Sequence, residues 1–221
     1  MKRLLFTLFT FGIILSSCNT NDEIIEGTTE DPIEDNFYAL TVGNTWEYKY
    51  YKYRSFNDTY DYMGIIDSVK IVAKTEINGN TYFNFRSRIS GNNNPGTTLV
   101  QPNGEYYRFY RDSLGYLITD SGKIAYTTND YSERAIIEVT PNITGYARLN
   151  ESSVVVTTEA GDFDCLDMEI YAKDNVTAEI FPGINHVNYS DGIGLIYNST
   201  SFVNSSNPPA FIHRLDSYLV E

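Results

Sequence analysis

Residues 63–90 read MGIIDSVKIVAKTEINGNTYFNFRSRIS, and their spacing decides the fold. Ile65, Val69, Ile71, Ala73 and Ile77 fall on one face at two-residue intervals, while Ser68, Lys70, Lys74 and Glu76 fall on the other. A period of two is that of a half-buried strand and not of a helix. Asn78-Gly79 follows, a pair that tolerates the positive φ of a tight hairpin turn, and the pattern then resumes with Phe83, Phe85 and Ile89 directed inward. The stretch is therefore an antiparallel hairpin with one face toward a core.

The same signal extends in both directions. In TWEYKYYKYR, Thr45 to Arg54, the alternating face of Trp46, Tyr48 and Tyr50 opposes one that begins Glu47, Lys49. GNNNPG at 91–96 and PNG at 102–104 are turns, and Glu105 to Asp112 is a Tyr-rich strand. Further strands are expected at Ala135–Thr140, Val154–Thr158, Phe163–Ala172, Gly194–Asn198 and Phe211–Val220, with no amphipathic helix among them. About ten strands with short connections predict an all-β fold: a single antiparallel domain over residues 37–221, built as a strongly curved sheet, barrel or half-barrel, with a sandwich as the alternative.

The N-terminus has a different grammar. Lys2 and Arg3 precede an apolar run from Leu4 to Leu15, too short to span a bilayer, and then Ser16-Ser17-Cys18. This is the layout of an export signal over residues 1–17, and Leu15-Ser16-Ser17-Cys18 resembles the bacterial lipobox, which implies lipid attachment at Cys18. The two or three acyl chains of such an anchor hold a protein stably on a membrane without spanning it. Residues 18–36 contain seven acids, no base and no aromatic, and read as an acidic tether that cannot bury enough surface to offset its ordering entropy. From Phe37 onward, 14 basic and 22 acidic residues leave a formal charge of −8, the wrong sign for nucleic acid or an anionic lipid surface. After Cys18 the one remaining cysteine is Cys165, so an intramolecular disulfide is not expected to brace the domain.

Three short stretches resemble a known group. FYALTVGNTWEY at 37–48, AGDFDC at 160–165 and DGIGL at 191–195 are similar to the YPLxVGNxWxY, AGxFxC and xGxGL motifs of uncharacterised Bacteroidota cell-envelope lipoproteins. The resemblance implies an extracytoplasmic all-β domain, with a sheet wrapped like those of bacterial lipoprotein carriers, and it implies no activity. Within that group a short acidic stretch soon after the lipidated cysteine, which Asp22-Glu23 resembles, is associated with display on the cell surface, and the expected location is the outer membrane, facing the periplasm or the cell surface. Asp67-Ser68-Val69 and Asp112-Ser113-Leu114 resemble the pattern at which Bacteroidota attach O-linked sugars, which makes Ser68 and Ser113 candidate acceptors.

Catalytic chemistry is sparse. His186 sits in the loop-like INHVNYSD, and His213 shares a strand face with Phe211, Leu215 and Leu219; neither has a partner at metal-binding spacing. Asp162, Asp164 and Asp167 alternate along a strand instead of forming a calcium loop, and Cys165 lies among them without a cation to activate it. No catalytic, cofactor or metal residue is assigned. Tyrosine is abundant, 19 in the chain, and clusters at 48–53 and 106–110, where exposed rings could stack on a glycan or line a peptide groove. The expected function is a membrane-anchored, extracytoplasmic, non-enzymatic binding or surface-assembly domain. A carrier or receptor for a lipophilic ligand is the second reading, and a hydrolase working through paired carboxylates the third.

Overall fold

The computed structural model describes residues 36–97 and 99–221. The export signal, Cys18 and the tether up to residue 35 lie outside the described residues. From Asn36 onward the chain forms thirteen strands: β1 (Thr45–Arg54), β2 (Thr59–Ile77), β3 (Asn80–Ser90), β4 (Gly104–Ser113), β5 (Tyr116–Thr119), β6 (Ile124–Thr127), β7 (Arg134–Thr140), β8 (Ile143–Leu149), β9 (Val154–Thr158), β10 (Gly161–Asp174), β11 (Asn185–Ser190), β12 (Gly194–Thr200) and β13 (Phe211–Leu219). A single 3₁₀ turn at Pro95–Thr97 is the sole helical element among the described residues.

All thirteen strands belong to one antiparallel sheet in the order β6-β5-β4-β3-β2-β1-β13-β12-β11-β10-β8-β7, with β9 pairing the first half of β10 off this path. The sheet is two meanders joined where the first strand pairs the last, Thr45 opposite Leu219 and Lys52 opposite Phe211. Laid flat, the eleven spacings between β6 and β7 would separate these edges by about 50 Å. Yet residues 128–133 alone connect them, a reach of at most about 25 Å. The sheet must therefore curl until its edges approach, and the phenol of Tyr126 on β6 crosses the interior to donate to the Leu166 carbonyl of β10 at 2.6 Å. The edges do not pair, so the barrel stays open, as expected of a half-barrel and not of a sandwich.

Four strands lay outside the expected set: β5, β6, β8 and β11. The first two are four residues long, β8 contains Gly145, and β11 carries Asn185, His186 and Asn188 in what reads locally as a loop. Pairing with neighbours distant in sequence makes them strands, which no local pattern encodes.

The founding hairpin forms as read, with Asn78 and Gly79 both at positive φ. Its strand β2 is 19 residues long and bends at Gly64 (φ +74), where its register with β1 shifts by two residues. Gly91 (φ +82), at the end of β3, packs so closely there that an added Cβ would overlap the Gly64 carbonyl oxygen.

One end of the barrel is plugged and the other carries loops. Asn36 opens a turn in which its Oδ1 accepts from the Leu40 amide at 2.6 Å, and Tyr38, Ala39 and Leu40 are buried across the first end. The plug is tied down from several elements: Tyr38 donates to the Gly115 carbonyl at 2.6 Å, Gly192 N–H to Phe37 O at 3.1 Å, and Glu221 N–H to Asn44 Oδ1 at 3.1 Å. At the other end the long β3–β4, β10–β11 and β12–β13 loops gather, the last two joined by the Gly183 N–H on the Val203 carbonyl.

Gly91→Ala is expected to lose at least about 2 kcal/mol in chemical denaturation, since positive φ and backbone overlap act together. Gly79→Ala, also at positive φ but in open space, should lose only about 1 kcal/mol. Equal losses would show that the Gly64–Gly91 approach does not constrain the bend.

Candidate functional cavity

The inward face of β1 sets the site. Trp46 stacks on Phe85 with ring centroids 6.0 Å apart, and its indole N–H donates to the Ile193 carbonyl at 2.7 Å; two residues on, the Tyr48 hydroxyl donates to the Leu195 carbonyl at 2.9 Å. Gly194, between those carbonyls, has φ +97, with Tyr38 and Trp46 packed over it. The VGNTW and DGIGL stretches, almost 150 residues apart in sequence, thus meet in one contact. Phe163 and Cys165 of AGDFDC join the same core, and burial pushes the Cys165 thiol up to about 12, leaving it protonated.

These rings do not fill the curl completely. A cavity of about 250 Å³ remains, walled by Leu40, Trp46, Phe85, Leu117, Val187 and Tyr189 and bounded toward the loops by Ser87, Arg108 and Asn198. Arg108 and Asn198 also bound a second cavity of about 210 Å³, which continues toward the loop end past Val100, Thr200 and His213. The interior is aromatic at the plugged end and polar toward the loops.

Polar groups packed behind this junction are unusual for a core. Asp67, 6% exposed, fills the inward position that the alternation of β2 leaves between Ile65 and Val69, and the Ser87 hydroxyl donates to its Oδ1 at 2.6 Å. His213 lies between Tyr48 and Tyr50, with centroids 4.5 and 4.3 Å away, and its Nε2 stands 3.9 Å from Asp67 Oδ2, beyond hydrogen-bond reach. That buried nitrogen has no partner among the described residues. Desolvation, with the Arg108 charge adding to it, lowers the His213 pKa to about 3; desolvation also raises that of Asp67, against the Ser87 hydrogen bond and Arg108. The order is not that of a nucleophilic triad, because the serine is committed to the carboxylate and not to the imidazole. No carboxylate lines either cavity.

His186 forms a separate cluster. Asp167 is buried, and its carboxylate accepts from Asn150 at 2.8 Å, Asn188 at 3.1 Å and His186 Nδ1 at 3.0 Å. Glu169, whose carboxylate also comes close, pairs with Arg148 at 3.1 Å. Three ligand-type side chains thus converge, but each already has a protein partner, so the arrangement works as a polar clasp across β8, β10 and β11. The Asp167 hydrogen bond raises the His186 pKa. Asp162 and Asp164, which share a strand with Asp167, are exposed, and Asp162 accepts from Thr157.

Ser68 is exposed on the outer face of β2, and Ser113 is half-buried at the end of β4 beside the Leu114-Gly115 turn. Of the clustered tyrosines, Tyr48 and Tyr51 are buried and Tyr107 is exposed. Sequence reasoning assigned none of Arg108, Asn198, Ser87 and Asp67 to a site; the one available signal was an acid on the apolar face of β2.

No protein-family model matches the chain, and no curated protein does. Among solved structures it is similar to that of a candidate lipoprotein from Parabacteroides distasonis, at 15% identity and a TM-score of 0.46, covering 83% of this chain and 98% of that one. It is also similar to a candidate exported protein with YmcC-like fold from Bacteroides fragilis, at 13% identity and a TM-score of 0.47, with the same coverage.

The two histidines should titrate against each other. His213, with its folded pKa below the unfolded value of about 6.5, costs stability as pH falls from there toward 3, because only the unfolded chain takes up the proton. His186, with its folded pKa raised, contributes stability that is complete below pH ~6.5 and lost as pH rises through its folded value. In urea unfolding between pH 5 and 8, the wild type should lose ground to His213→Gln toward acid and gain ground over His186→Asn. Parallel curves for either variant would contradict its assignment.

Proposed function

We propose that the domain is the extracytoplasmic, lipid-anchored binding module of a cell-envelope lipoprotein, and that it holds a small, largely apolar ligand inside the curled sheet. The observation that carries this reading is the aromatic cavity of about 250 Å³ inside the curled sheet. A sheet serving only as a scaffold gains from filling such a space, since each unfilled methylene forfeits contacts. Here the wall residues are held back from it, because Tyr38, Trp46 and Tyr48 each commit their polar tip to a backbone carbonyl. The paired-carboxylate reading finds no support in a cavity without a lining acid.

The anchor is proposed from the sequence: acylation at Cys18, an acidic tether to residue 36, and residence at the outer membrane on its periplasmic or surface side. Ser68 and Ser113 are proposed glycan acceptors, and the exposed position of Ser68 suits a bulky group better than the half-buried Ser113.

The chain contains one tryptophan, and it lines the cavity, so binding has a built-in reporter. N-phenylnaphthylamine, an uncharged apolar fluorophore, should bind saturably, accept energy from Trp46 and be displaced by decanol. Ala125→Phe and Val187→Phe, which fill the cavity from two walls, should weaken binding at least tenfold at unchanged unfolding midpoints. Unsaturable binding by the wild type, or wild-type binding by filled variants that unfold normally, would overturn the reading.

A further inference from the structure

We infer that the cavity selects a ligand with an acidic head group: an apolar chain or ring system carrying one carboxylate, held by Arg108 at the junction of the two cavities. The inference rests on the apolar-cavity reading above and adds to it the polarity and direction of the ligand.

Charge at the junction is the opposite of charge elsewhere. The domain carries 22 acids against 14 bases, yet neither cavity is lined by an acid, and Arg108 is the one arginine or lysine lining either. Six of the 14 cations in this domain have an acid beside them: Lys49, Arg54, Arg134, Arg148, Lys173 and Arg214. Arg108 makes no such pair among the described residues. Its guanidinium offers five donors in a planar fork that matches a carboxylate.

Asp67 feels the Arg108 charge but lines neither cavity. Asp67 lies behind Ser87, which takes its Oδ1 and itself faces the cavity, so an incoming anion meets a hydroxyl-bearing side chain and not a carboxylate. Asn198, paired across the ladder with His213, bounds both cavities with Arg108 and brings a second donor to the junction. His213 Nε2, buried and unpartnered, is a third polar atom beside it. Uncharged side chains flank it on both sides, Tyr50 and Val100 toward the loops and Phe85 and Tyr110 toward the plug, while Arg108 itself is exposed and open to an entering head group. Head at Arg108 and tail toward Trp46 is the orientation in which each part of the ligand meets matching chemistry.

The test compares three probes with the same tail, decanoate, decanol and decylamine, as competitors of N-phenylnaphthylamine at neutral pH. Wild-type protein should bind decanoate about tenfold more tightly than decanol, equivalent to about 1.4 kcal/mol, and decylamine most weakly. Arg108→Gln should abolish the preference, and Arg108→Lys should restore part of it. Lys123→Gln, which removes the same charge from an exposed turn, should leave it intact. Decanol binding as well as decanoate, decylamine binding best, or an unchanged preference in Arg108→Gln would overturn the inference while sparing the apolar cavity. Failure of all three probes to compete would overturn both.

Discussion

Six residues between β6 and β7 impose the constraint on which the rest depends. They join the two edges of a twelve-strand path, so the sheet has to bend back on itself before its last strand can pair with its first. Curling makes one face an interior. Its radius is then set by the side chains on that face, and in this sequence those are mostly aromatic. A tyrosine reaches farther than a leucine but must find a partner for its hydroxyl when buried. Tyr38, Tyr48 and Tyr126 find theirs on carbonyls of other strands or turns. The result is a wall of rings fixed at both ends, which cannot collapse into the space between them as a flexible aliphatic core would.

That rigidity links the motifs to the cavity. The segment 36–44 is not a strand, but it closes one end of the curl, and the Asn44 side chain holds it: Nδ2 donates to Ala39 O at 2.9 Å while Oδ1 accepts from Glu221 N–H. Trp46 follows directly and pins β1 to the β11–β12 turn. With plug, wall and turn held in one hydrogen-bonded unit, the cavity floor is preorganised, and a ligand entering it would not have to order the protein first.

The period-two pattern made the hairpin, the inward face of β1 and the all-β class legible, because each is a property of residues close in sequence. Curvature was legible only as a consequence of strand number and short connections. What remained hidden were pairings between distant segments. Asn185–Ser190 reads as a loop because its polar side chains serve a clasp on Asp167, a residue almost twenty positions earlier. Arg108 reads as one of several arginines on a Tyr-rich strand, and its place at the junction of two cavities lined by no acid appears only in the fold. The strand face that His213 shares with Phe211 and Leu215 is legible in the sequence and agrees with its burial between two tyrosines, but its nitrogen without a hydrogen bond belongs to the three-dimensional arrangement alone.

The direction of the barrel completes the argument. Asn36, where the described chain begins, lies at the plugged end, together with the C-terminal residue that its neighbour Asn44 holds. The polar cavity is bounded by residues of the opposite end, Leu99 to Gln101 of the β3–β4 loop and Thr200 and Phe211 flanking the β12–β13 loop. Exposed apolar side chains, Phe56, Leu99, Val176 and Phe202, cluster on the connections at that end. A ligand exchanging there moves past these loops and leaves the plug, with its network of backbone hydrogen bonds, undisturbed. Loading and release then cost the local rearrangement of a few loop residues and not the opening of the sheet, which is why the aromatic floor can be rigid without making the cavity inaccessible.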